Sequence, residues 1–226
     1  MKAAVITFPG SNCDRDAITT LLKFTSKVKN IWYQETNIDN DTDLIVIPGG
    51  FSYGDYLRSG AMAKISPVIN EVKRLAQRGV KVLGICNGFQ ILTESGMLEG
   101  VLMRNQKMKF SCKDVYLRVE NQDTEFTKNY KKNQVIRMPI AHADGNYFAD
   151  TETLKKLEDT NSIILRYVDK NGNVTDDSNP NGSLLNIAAI TNKNRNILGM
   201  MPHPERACDP DNGGVDGVTM FKSLLK

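Results

Sequence analysis

Few side chains in this 226-residue chain can do nucleophilic chemistry: four cysteines (Cys13, Cys86, Cys112, Cys208) and two histidines (His142, His203). A thiol needs a base beside it, so a cysteine–histidine mechanism has few possible members. Cys86 lies in Val80-Lys81-Val82-Leu83-Gly84-Ile85-Cys86-Asn87-Gly88-Phe89-Gln90-Ile91-Leu92. The stretch opens as an apolar, β-branched run suited to a buried strand and resumes after Gly-x-Cys-x-Gly at helical spacing. A strand that turns sharply into a helix needs small neighbours, and glycines two residues either side of the turning residue supply them. Such an elbow strains its central residue and leaves nearby amide N–H groups unpaired. It also sets the thiol at the positive end of the helix dipole, which favours the thiolate. The competing reading is a glycine-bracketed core cysteine, because free cysteine is among the most buried residue types.

His203 occurs in Met201-Pro202-His203-Pro204-Glu205-Arg206, directly after an apolar run. A residue before proline is pushed to extended geometry. In extended chain, residues i and i+2 point to one side, so the Glu205 carboxylate can reach the imidazole. A carboxylate on one ring nitrogen leaves the other for the thiol, as nucleophilic catalysis requires. Alone, the segment also reads as a proline-rich turn carrying a surface histidine.

The elements that must position these residues alternate. Met1–Phe8 forms a first strand, and Gly10–Asp14 leads into a helix with Ile18, Leu21, Leu22 and Val28 on one face. Ser11, Asn12 and Asp14 are its candidate N-caps. Val28–Tyr33 and Asp43–Ile47 are strands, the latter ended by Pro48-Gly49-Gly50. Ser66 caps a helix with Pro67 at its first position, and Gly79 closes it. Strands alternating with helices indicate an α/β fold with a largely parallel sheet and right-handed crossovers. Beyond residue 110 the pattern changes. Lys113–Asn121 alternates apolar and polar, as in a strand solvated on one face, and Val135–Met138 and Ile163–Tyr167 add two more. Asp169–Ser183, rich in Asn, Asp and Gly, reads as a long surface turn. Ile187–Thr191 and Ile197–Met200 form a hairpin, and Val218–Leu225 is a terminal amphipathic helix. The expectation is one domain over residues 1–226.

Composition excludes several classes. Twenty-nine basic against 26 acidic residues give a net charge of +3, too mild for a nucleic-acid binder, and no basic run is interleaved with aromatics. The apolar N-terminal run is too short for a signal peptide or membrane span. The cysteines show no metal-finger spacing, so no metal site is expected, and a chain of this kind is placed in the cytoplasm with its thiols reduced.

Taken together, the strand–Gly-x-Cys-x-Gly–helix, the strand ending in Pro48-Gly49-Gly50 and the late His-x-Glu resemble the triad-type, class I glutamine amidotransferases. That resemblance implies a three-layer, flavodoxin-like α/β domain in which Cys86 attacks the carboxamide of L-glutamine, His203 shuttles protons and Glu205 orients it. It maps the oxyanion hole onto the backbone N–H groups of Gly50 and Asn87, both reasonable on physical grounds. It places Gly49, Gln90 and His142 among the groups that meet glutamine. Gln90 also reads as a solvated helix residue, and His142 as a hydrogen-bonded structural histidine.

Longer blocks narrow the likeness: Pro9–Asp16, Gly49–Arg58, Asn179–Ser183, Gly199–Arg206 and Gly213–Gly217 resemble the glutaminase subunits of phosphoribosylformylglycinamidine synthases. The family implies a separate small subunit that passes ammonia to a large synthetase subunit, with a further small accessory subunit, in purine synthesis. The chain carries neither a Walker-type nor a dinucleotide-type glycine fingerprint. ATP, Mg and the ribonucleotide are therefore expected on the synthetase partner, with no cofactor in this chain. Ala143, Asp144 and Asn146 depart from the family's pattern around His142. Cys112 reads as core, and Cys13 and Asp14 as either a helix cap or an interface pair. A glutaminase serving another synthetase, and a non-catalytic docking subunit of the same fold, are the alternatives.

Overall fold

The computed structural model describes residues 1–224, apart from the Asn212 side chain; Leu225, the end of the expected terminal helix, lies outside the described residues. The first half runs β1 (Ala3–Thr7), α1 (Asp14–Leu22), β2 (Val28–Trp32), β3 (Leu44–Ile47), α2 (Pro67–Gln77), β4 (Lys81–Ile85) and α3 (Asn87–Glu94). The second runs β5 (Val101–Met103), β6 (Ser111–Val119), β7 (Val135–His142), β8 (Asn146–Phe148), α4 (Thr151–Asp159), β9 (Ile163–Val168), β10 (Ile187–Thr191), β11 (Ile197–Met200) and α5 (Val218–Leu224). Nine strands form one sheet in the order β2-β1-β3-β4-β11-β10-β9-β6-β7, with β5 and β8 as a separate ribbon.

The sheet is mixed, as expected. From β2 to β11 every ladder is parallel; from β11 to β7 every ladder is antiparallel. All residues of β1, β3, β10 and β11 are buried, which explains a composition apolar but for the terminal Thr7 and Thr191. The β1→β2 and β3→β4 crossovers step in opposite directions, so right-handedness puts α1 and α2 on opposite faces and gives three layers.

The antiparallel half does not stay flat. The His203 N–H, three residues past β11, donates to the Pro139 carbonyl in β7 at 2.9 Å. Four strand spacings separate β11 from β7 in the ladder order, which would be about 19 Å in a flat sheet. The sheet therefore rolls back on itself and carries β7 over the end of β4. Register shifts between β9 and β10 near Ala189 supply local extra twist.

Several expectations are corrected. The N-cap of α1 is Cys13, with no side-chain cap bond; Ser11 Oγ instead accepts from the Phe8 N–H at 3.1 Å. Leu22 is exposed, and Val28 opens β2 rather than extending the α1 face. Cys112 is exposed, not core, because β6 turns that residue outward. Pro67 does open α2 after Ser66, but the Ser66 hydroxyl pairs with Tyr53 Oη at 3.0 Å instead of capping the helix. Within the polar stretch 169–183, the Asn179–Ser183 end turns inward. Asn181 and Ser183 are buried and hydrogen-bond the Gly145 carbonyl at 2.8 and 3.1 Å. Helix α4 was not anticipated; Asp150 caps it by accepting from the Thr153 N–H at 2.7 Å.

Candidate active site

Cys86 sits at the junction of β4 and α3 with φ +51° and ψ −104°. A side chain in the left-handed region costs about 1–3 kcal/mol and persists only where its surroundings enforce it. Here they do. An added Cβ on Gly84 would lie 2.4 Å from Leu92 Cδ1, so α3 could not fold down over β4. One on Gly88 would lie 1.9 Å from the Ile47 carbonyl oxygen, so the first turn of α3 could not rest on β3. In β11, a Cβ on Gly199 would enter the Phe89 ring at 2.1 Å. The three glycines let the helix seat, and the seated helix holds the elbow. Cys86 is itself buried, with Sγ 3.7 Å from the Ala141 carbonyl of β7.

Beyond β11 the backbone is extended at His203 (φ −103°, ψ 90°) and turns at Pro204–Arg206. His203 Nδ1 and Glu205 Oε1 are 2.6 Å apart, and both side chains are almost fully enclosed. The Thr20 hydroxyl anchors Glu205 by donating to its carbonyl at 2.9 Å. Nε2 of His203 has no hydrogen-bond partner among the described residues. Burial works against a charged imidazole, but the Glu205 carboxylate and then Cys86 outweigh it and raise the His203 pKa well above its ordinary value. Such a ring accepts a proton from a thiol readily and holds it close to the carboxylate.

Gly49 explains how tightly these parts meet. A Cβ there would lie 2.7 Å from His203 Cε1, 3.2 Å from Cys13 Sγ and 3.3 Å from Cys86 Cβ. The end of β3 is thus a bare backbone wall against which nucleophile and base are stacked. Gly50 follows at φ +130°. No acceptor among the described residues takes the N–H of Gly50 or of Asn87. Unspent donors on either side of a nucleophile suit a developing oxyanion.

Around this centre, α3 ties two loops together. The Asn87 side chain accepts from the Ser52 N–H at 3.1 Å and donates to Gln90 Oε1 at 2.9 Å. Gln90 Nε2 donates to the Asp144 carbonyl at 2.6 Å. Gln90 is therefore buried and engaged at both ends rather than solvated. His142 is also buried, its ring flat against Gly145, with Nδ1 bonded to Asn105 Oδ1 at 3.1 Å. Burial, reinforced by His203, lowers its pKa to about 4, so the ring is neutral and Nε2 is a bare acceptor.

Cys13, expected as a cap or an interface residue, is the N-cap residue of α1. The structure puts it against the histidine–glutamate pair: ligand atoms of Cys13, His203 and Glu205 lie within 4.8 Å of one another. Burial pushes the Cys13 thiol up to about 12, against the pull of Arg206, whose Nη2 lies 3.2 Å from Sγ. Glu205 already engages His203, and Arg206 brings a positive charge to Cys13.

The chain as a whole is matched by known proteins. The pattern of the CobB/CobQ-like glutamine amidotransferase domain covers residues 1–215. The chain belongs to that family. A protein of Pelagibacter ubique named phosphoribosylformylglycinamidine synthase subunit PurQ is 52% identical over all of this chain and 98% of its own length. One of Pseudothermotoga lettingae with the same name is 53% identical over 99% of this chain and 94% of its own. Among solved structures, a chain of PurLQS from Thermotoga maritima aligns over 99% of this chain and 97% of its own length, with 42% identity and a TM-score of 0.86. The glutaminase domain of a Trypanosoma brucei CTPS, at 13% identity and TM-score 0.58, shares the fold. No helix among the described residues is long and apolar enough to cross a membrane.

Proposed function

We propose that this chain is the glutaminase subunit of a phosphoribosylformylglycinamidine synthase, supplying ammonia from L-glutamine. One observation carries the reading: a His203–Glu205 pair with a free Nε2 is stacked beside the Cys86 elbow, in a chain alike end to end to proteins named PurQ.

In the reaction, the Cys86 thiol gives its proton to His203 Nε2, and the sulfur attacks the side-chain carboxamide carbon of glutamine. The Gly50 and Asn87 N–H groups receive the oxyanion. His203 returns the proton to the leaving nitrogen, the C–N bond breaks, and ammonia departs from a γ-glutamyl thioester. Water, deprotonated by His203, then attacks the thioester; glutamate leaves and the thiol is restored. Glu205 holds the ring through Nδ1 throughout.

The ammonia goes to a large synthetase subunit that carries ATP and Mg and converts formylglycinamide ribonucleotide to its amidine in the cytoplasm; a small accessory subunit completes the assembly. The partners are inferred from the Thermotoga maritima PurLQS structure, to a chain of which this one is alike. Cys86→Ala should abolish glutamine-dependent amidine formation by the complex while ammonia-dependent formation survives. Loss of both together would overturn the assignment.

A further inference from the structure

Glu205 holds His203 through Nδ1, yet little holds the Glu205 carboxylate itself. Oε1 lies 2.6 Å from the ring nitrogen, while Oε2, on a side chain with no exposed surface, has no hydrogen-bond partner among the described residues. A buried carboxylate ordinarily has both oxygens fixed by donors. Here its one partner is the ring it has to aim. The direction of the carboxylate therefore depends on the backbone that carries it, a single turn over Pro204–Arg206.

Helix α1 reaches that turn from the other end of the sequence. Cys13, Asp16 and Thr20 recur at i, i+3 and i+7 and so fall along one side of the helix. The Thr20 hydroxyl donates to the Glu205 carbonyl at 2.9 Å, and both residues are buried. Asp16 Oδ2 accepts from Arg206 Nε at 3.0 Å, and Cys13 Sγ lies 3.2 Å from Arg206 Nη2. These contacts are unequal. The Asp16–Arg206 pair is partly exposed, and exposed ion pairs contribute little; a thiol sulfur is a weak acceptor. Thr20 alone works in the interior, and no other side chain among the described residues hydrogen-bonds the Glu205 main chain. Packing does not replace it, because a cavity of about 410 Å³, lined by Asp16, Thr19, Thr20, Glu205 and Arg206, opens between the helix and the turn. A β-branched side chain in a helix is also stiff about χ1, so this hydroxyl is held in place rather than free to follow the turn.

We propose that Thr20 is a positioning residue for the glutaminase reaction. Through the Glu205 carbonyl it fixes the carboxylate, and through the carboxylate it fixes the direction in which the His203 ring faces Cys86. Thr20 touches neither the substrate nor the reacting atoms; its whole effect passes through Glu205.

This inference rests on the glutaminase reading, and the test separates the two. Thr20→Val keeps the shape and removes the hydroxyl, whereas Thr20→Ser keeps the hydroxyl. Both are compared with wild type in the complex that co-purifies with the chain, and ammonia-dependent amidine formation reports that each variant folds and assembles. Thr20→Val should lower kcat for glutamine-dependent formation about 10-fold, the worth of one hydrogen bond, with KM for glutamine within two-fold. Thr20→Ser should recover most of that loss. On a Glu205→Ala background, with no carboxylate left to position, Thr20→Val should cost less than two-fold. If Thr20→Val does not assemble, Thr20→Ala carries the same comparison. A kcat within two-fold of wild type, no recovery in Thr20→Ser, or equal losses on both backgrounds overturns the positioning role alone. Wild type that forms amidine from ammonia but releases none from glutamine overturns the glutaminase reading, and this inference with it.

Discussion

The wall at Gly49 makes a quantitative prediction. In Gly49→Ala the new methyl would sit 2.7 Å from His203 Cε1, whereas carbon atoms pack comfortably at about 3.5–4.0 Å. Roughly 1 Å must be found. The imidazole cannot yield it cheaply: Nδ1 is held by Glu205 at 2.6 Å, and the His203 N–H by the Pro139 carbonyl at 2.9 Å. Nor can the backbone wall retreat, because Cys13 Sγ and Cys86 Cβ would lie only 3.2 and 3.3 Å from the same methyl. The ring should therefore tilt away from the sulfur. A 1 Å misplacement at the reacting centre costs about 100-fold in rate, while overpacking costs about 1–3 kcal/mol of stability, or a few degrees in Tm for a chain of this size. Glutamine-dependent kcat should fall about 100-fold with ammonia-dependent synthesis intact. Gly96→Ala is the control: its added Cβ meets nothing within 4 Å, and its φ of +70° carries only backbone strain. It should lose stability and keep kcat. A Gly49→Ala enzyme within three-fold of wild type would refute the stacking argument.

Two further outcomes follow from the same geometry. Glu205→Gln should lower glutamine-dependent kcat less than His203→Ala, because it removes the group that orients the base rather than the base; equal losses in steady-state assays would contradict that division. His142 titrates near 4 in the fold and near 6.5 when unfolded, so below pH 6.5 the unfolded chain binds the extra proton and stability falls with pH. Between pH 6.5 and 5 that amounts to about 2 kcal/mol. Asp55, raised in the fold, works in the opposite sense over the same range. The comparison is therefore wild type against His142→Gln in urea titrations at several pH values, where only the wild type should show the His142 loss. Parallel curves would show that His142 does not carry it.

What could be read from sequence was local. The elbow was legible because Gly84, Cys86 and Gly88 act within five residues, and the strained Cys86 backbone was foreseen from that spacing alone. His203 and Glu205 were legible because a proline between them fixes their relative direction. The closure of β7 over the thiol was not, since it depends on how far a four-strand antiparallel segment rolls, which no residue pattern encodes. The inward turn of Asn179–Ser183 was misread because short polar side chains look the same whether they meet water or a buried carbonyl such as that of Gly145. The place of Cys13 beside the histidine–glutamate pair was hidden for a similar reason: its neighbours Glu205 and Arg206 lie nearly 200 residues away in the chain. The missed α4 had a usable signal in Asp150, followed by Leu154 and Leu157 on one side.

The rolled sheet has a consequence for synthesis of the protein. A ribosome delivers the thiol first, its roof in β7 later, and the imidazole later than both. Until the last hairpin docks beside β4, the sulfur has no proton acceptor. A molecule made only as far as β7 therefore cannot consume glutamine, and competence is switched on when the base docks beside the thiol.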